Sequence, residues 1–154
     1  MKWTADQSVR LSRACIWLFA VLAVVICAVS PALTHTFGSI VLINGKSVSE
    51  VRVALLVTEY AAAVLGLAAL WLLHRLLLSI GAGSVFVEKN VFVLRALSWC
   101  CLGAGLVFFG GAWIGWPPFA LLAACAAFMG LILRVVKNVF AEAVRMKAEN
   151  DGTV

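Results

Sequence analysis

Long apolar runs, nearly free of charge, set the pattern of this chain. Between Arg13 and Lys46 there is no Asp, Glu, Lys or Arg, and from Ala54 to Leu73 only Glu59 interrupts. From Ala96 to Leu133 come 38 uncharged residues, enough for two bilayer crossings at about 20 residues each. Trp116-Pro117-Pro118 divides that window, because paired prolines remove backbone donors and break a helix. The pattern predicts helices at about 14–32, 53–73, 95–116 and 118–137 within one domain, residues 1–154, and a polar tail from about 138. The fold class is all-α: a polytopic membrane protein, a four-transmembrane-helix bundle.

Composition agrees. Of 154 residues, 64% are hydrophobic and 12% charged, against about 45–50% and about 25% in an ordinary soluble domain. A basic start and Ala28-Val29-Ser30 resemble a cleaved signal peptide, but Pro31 would follow the cut and the run before it is long enough to span. The first helix is therefore kept.

Lys and Arg predict orientation. Ten of the twelve fall in the N-terminal segment, the loop after helix two and the tail; only Lys46 and Arg52 lie on the other side. Both termini are thus expected in the cytoplasm, with the protein in a bacterial cytoplasmic (inner) membrane. The net charge of +5 is read as anchoring against anionic headgroups rather than direct nucleic-acid binding.

Residues 83–97, GSVFVEKNVFVLRAL, are unusually apolar for a connector. Gly81 and Gly83 read as a helix C-cap, with a new helix starting near Phe86 and Val87, Val91 and Leu94 on one face. This is a short cytoplasmic amphipathic elbow between helices two and three, either lying in the headgroup region or extending helix three. Asn90 could tie the elbow to backbone groups freed at the glycine break, and Arg95 could reach a headgroup, Glu142 or Glu149.

The remaining chemistry is sparse. Cys15, Cys27, Cys100, Cys101 and Cys125 form no Cys-x-x-Cys pair and read as packing residues. His35 and His74 fall at opposite ends of their helices, too far apart to clamp one iron. No cofactor, metal site or catalytic set is expected, and the chain is not read as an enzyme. Glu59 is an intramembrane acid, which marks either an ion path, a local pairing with Arg52 seven residues earlier on the same face, or a carboxyl protonated near a wet interface. Small residues four apart, at Ala62/Gly66, Gly111/Gly115, Ala120/Ala124 and Ala126/Gly130, predict close helix packing. Asn44-Gly45 is a candidate hairpin turn.

Gly83, Phe86, Asn90, Leu94 and Arg95 spell G-x-x-F-x-x-x-N-x-x-x-L-R, which resembles the signature of the domain of unknown function 2975 family. The ending, with Glu149, Asp151, Thr153 and Val154, resembles that family's acidic closing pattern, although Gly152 stands where a leucine is usual. The resemblance implies a small bacterial four-helix membrane protein without an established activity. Its members are often encoded beside a small helix-turn-helix regulator, which implies a cytoplasmic partner contacting the motif residues. The leading expectation is a regulatory or scaffold protein that touches the lipid bilayer and such a regulator, and that could self-associate as a homo-oligomer. The alternative is a small proton-coupled transporter using Glu59.

Overall fold

The computed structural model describes residues 5–37, 47–83, 85–114 and 117–152. It contains α1 (Ala5–Phe37), α2 (Val48–Gly81), α3 (Glu88–Ile114) and α4 (Phe119–Gly152). All four are long and apolar enough to cross a bilayer. Each outruns its sequence-predicted span at one end or both. At 1.5 Å per residue, the 34 residues of α2 or α4 extend roughly 51 Å, beyond a hydrocarbon core about 30 Å thick.

Local chemistry sets these ends. Ser47 and Glu50 form a capping box: Glu50 N–H donates to Ser47 Oγ (3.4 Å), and Ser47 N–H donates to the Glu50 carboxylate (3.1 Å). Helix α2 therefore starts five residues before the expected position. At its other end Ala82 N–H donates to Leu78 O and Gly83 N–H to Ile80 O, with Gly83 at φ +78°. That left-handed turn is the expected glycine cap. The Pro117 and Pro118 carbonyls accept from Ala120 and Leu121 N–H, so the prolines open α4 where a missing donor costs nothing.

The elbow is not a separate helix. Helix α3 runs unbroken from Glu88, so the polar-flanked segment forms its first turns. The tail likewise continues α4 to Gly152. Asn44-Gly45, Thr153 and Val154 lie outside the described residues, as does the side chain of Asp151.

Successive helices run antiparallel. Position Gly81 faces Val9, Gly103 faces Leu65, Gly105 faces the Ala123 backbone, and Phe86 meets Phe140. Among the described residues, close backbone approach joins only sequence neighbours, α1 with α2, α2 with α3 and α3 with α4. The expected bundle is therefore open between α1 and α4. The reason lies in the glycines that permit close approach. A Cβ on Gly111 would fall 2.6 Å from Thr58 Cγ2, and one on Gly130 would fall 2.9 Å from Leu102. Helix α1 carries no glycine at all. Of the expected small-residue contacts, Gly66 faces open space, while a Cβ on the unforeseen Gly105 would fall 3.2 Å from Ala123 O.

A compact core gathers where α2 ends and α3 begins. Leu76, Val93 and Leu94 are buried there, covered by Leu72, Leu73 and Ile80 of α2 and by Leu133, Val136 and Phe140 of α4. Just inside it, the Ser98 hydroxyl donates to Gly130 O (3.1 Å), fastening α3 to α4 in a buried position. Elsewhere the surface is apolar: Trp17, Leu18, Phe19, Leu106 and Leu121 are all exposed, as lipid-facing side chains would be.

Candidate functional site

Two places hold the residues singled out in the sequence. The first is the basic end, where antiparallel packing collects the N-termini of α1 and α3 and the C-termini of α2 and α4. Asn90 is 1% exposed and its Nδ2 donates to Val85 O (2.8 Å). Among the described residues this bond ties the elbow to Val85 O. Leu94 is buried beside Val93, and the Phe86 ring lies 5.6 Å from that of Phe140. Arg95 is exposed and shares a shallow groove of about 320 Å³ with Glu88, Val91 and Phe92 of α3 and Ala141, Val144 and Arg145 of α4.

Elbow and tail therefore meet, but not through the expected ion pair. Glu142 and Glu149 both face Arg145, at 2.7 Å and 3.6 Å, one helical turn to either side of it. Those pairs are exposed and worth little individually. Arg134 stacks over Trp99 at 4.7 Å and Arg75 over Trp71 at 4.9 Å. Such cation–aromatic pairs suit a bilayer interface.

The second place is the opposite half of the molecule, around Glu59. Its carboxylate does not reach Arg52: among the described residues its partner is Ser30, whose hydroxyl donates to Oε2. Ser30 is 3% exposed, so the bond is formed away from solvent. Its position follows from helix geometry, since α1 runs on past Pro31 and brings Ser30 opposite Glu59.

Pro31 also explains a second contact. A proline within a helix cannot donate to the carbonyl four residues back, which here is Cys27 O. The Tyr60 hydroxyl donates to that carbonyl instead, at 3.0 Å. Glu59 and Tyr60 thus clasp α1 at its proline, one through a side chain and one through the backbone. Sequence reasoning used Pro31 only to argue against cleavage; the proline-to-carbonyl offset was the signal for Tyr60.

Beside this clasp lies a groove of about 920 Å³ lined by all four helices, with Glu59, Ser30 and Thr34 as its polar members and leucines, alanines and three phenylalanines elsewhere. His74 is outside it, with its ring 6.1 Å from Trp17 edge-on. Among the described residues no group of three or more His, Cys, Asp or Glu could hold a metal ion.

Four long apolar helices with an apolar exterior are the make-up of a multi-pass membrane protein. Within that class the chain belongs to the family of proteins of unknown function DUF2975, whose model matches residues 43–154. The match takes in α2, α3 and α4 and begins after α1. No curated protein and no solved structure matches the chain.

Proposed function

We propose that this protein is a membrane-anchored docking platform that holds a small helix-turn-helix transcription regulator at the cytoplasmic face. The observation that carries this reading is the joining of elbow and tail. Phe86 packs on Phe140, and α3 and α4 together form the groove containing Arg95 and Arg145. The helices there are long enough to stand clear of a bilayer, and Phe92, Val139 and Met146 remain exposed among the charges. Exposed apolar groups rimmed by charge suit recognition of a protein helix. The lysine and arginine bias supports a cytoplasmic position for this end and for both termini, with the family resemblance favouring a bacterial inner membrane. The motif residues Gly83, Phe86, Asn90, Leu94 and Arg95 then act mainly in shaping one surface, with Arg95 reaching the regulator directly. Proton-coupled transport ranks behind, because Glu59 has no second carboxylate beside it among the groove's described residues.

The test is photocrosslinking in cells from Phe92 and Val144, with Trp113 at the far end as control. The expected product is one DNA-binding regulator captured from both groove positions and not from Trp113. Arg95→Ala and removal of residues 150–154 should weaken that capture non-additively. Capture of no common protein, or simple additivity, refutes the platform.

A further inference from the structure

We infer that the Glu59 groove is a binding site for an amphiphilic organic cation that enters from the bilayer between α1 and α4. This is separate from the docking platform, which lies at the other end of α3 and α4. At about 920 Å³ the groove falls within the ~300–1,000 Å³ typical of small-molecule pockets. Its mouth is the side between α1 and α4, where among the described residues no close backbone approach joins the two helices.

The lining selects the charge of the occupant. Among the described residues lining the groove, Glu59 is an acid and none is Lys, Arg or His. The carboxylate accepts from Ser30 through Oε2, whereas Oε1 is buried without a hydrogen-bond partner among the described residues. An ionised carboxylate in such apolar surroundings is costly unless a positive charge approaches. An acyl chain would fill the groove and leave that cost in place; an organic cation removes it.

The aromatic groups favour the same occupant. Phe19, Phe108 and Phe119 line the groove, and the rings of the last two meet at 5.6 Å, tilted by 54°. Phe119 and Thr58 both abut Gly111, which sets this pair at the level of Glu59. Aromatic faces attract cations, most strongly quaternary ones that carry little hydration. A quaternary centre also donates no hydrogen bond, so it needs proximity to the carboxylate rather than a free, well-aimed oxygen. The apolar substituents then lie along the alanines and leucines of α2.

The experiment uses the full-length protein in detergent micelles and equilibrium dialysis of tetraphenylphosphonium, with neutral triphenylphosphine oxide as comparison. The wild-type chain should bind the cation saturably, one per groove, and bind the oxide far more weakly. Glu59→Gln should weaken the cation by at least about tenfold while leaving the oxide unchanged, and Glu59→Asp should retain it. Gly66→Phe provides an independent block. Gly66 lines the groove two turns from Glu59, and no atom lies within 4 Å of its Cβ position, so the ring enters space the protein leaves open. It should abolish cation binding without lowering the melting temperature. Equal binding of cation and oxide, or an unchanged affinity in Glu59→Gln, would make the groove a seat for acyl chains and overturn the inference. So would the absence of saturable binding, including the case in which a second copy seals the mouth, visible as a dimer by mass. If Glu59→Gln does not fold, the cation-to-oxide ratio and Gly66→Phe decide.

Discussion

Gly110 and Gly111 are neighbours in α3, yet the same substitution should act on them with opposite sign. A Cβ on Gly110 meets no atom within 4 Å, whereas one on Gly111 would lie 2.6 Å from Thr58 Cγ2, 2.8 Å from Thr58 Oγ1 and 2.8 Å from Phe119 Cδ2. In a helix interior, Gly→Ala removes backbone freedom from the unfolded chain and stabilises by roughly 0.5–1 kcal/mol. Gly110→Ala should show that gain undiminished. Gly111→Ala has the same gain offset by overpacking, which costs about 1–3 kcal/mol when the neighbours cannot move. They are poorly placed to move, since Thr58 is buried on α2 and Phe119 opens α4 against Phe108. The net is roughly 0–2.5 kcal/mol of destabilisation, so the two variants should differ by about 1–3 kcal/mol. Reversible unfolding in mixed micelles, by denaturing detergent with circular dichroism as readout, measures both. Adding Thr58→Ala to Gly111→Ala removes two of the three clashes and should recover part of the loss. If Gly111→Ala proves as stable as Gly110→Ala, α2, α3 and α4 do not meet at this point and the packing argument is wrong.

The proline clasp makes a second prediction. Tyr60→Phe should destabilise by about 1–2 kcal/mol by leaving Cys27 O without its donor, but by much less in a Pro31→Ala background, where residue 31 regains an N–H. Equal losses in the two backgrounds, in the same unfolding assay, would disconnect Tyr60 from the proline. For topology, reporter fusions at Lys89 and after Val154 should both read cytoplasmic and one at Gly45 external; a C-terminal fusion reading outside would overturn the orientation drawn from charge.

The number and order of the helices were legible because lipid imposes a coarse rule: about 20 apolar residues without charge. Their ends were not, because that rule describes the bilayer and says nothing of the backbone on either side. Arg10, Arg75 and Arg145 all sit in helix although each lies beyond an apolar run. The start of α2 was written in Ser47-Val48-Ser49-Glu50, a capping box overshadowed by the search for uncharged residues. Asn90 was readable in kind, since a buried amide must bond somewhere, but its acceptor depended on the path taken after Gly83. Glu59 shows the larger limit. Arg52 was a reasonable partner on the same helix, whereas Ser30 stands 29 residues away on another, and only helix pairing brings it near.

The contacts of α1 are uneven in a way that bears on the groove. Among the described residues the α1 backbone closely approaches only that of α2, and two polar bonds between them flank Pro31, from Ser30 to Glu59 and from Tyr60 to Cys27 O. Toward the other end Val9 lies against Gly81 and Trp17 against His74. Helices α2, α3 and α4 are meanwhile locked by Gly111, Gly130 and the buried Ser98 bond. The molecule is thus a packed three-helix slab with one helix leaning on its edge, and the groove is the space the lean leaves. Glu59 belongs to both features: its carboxylate holds α1 through Ser30 and supplies the groove's negative charge. A cation drawn to that carboxylate must compete with, or share, the bond that positions α1. Occupancy of the groove and the angle of α1 are therefore coupled through one side chain, by no more than the differential strength of that bond in the two states.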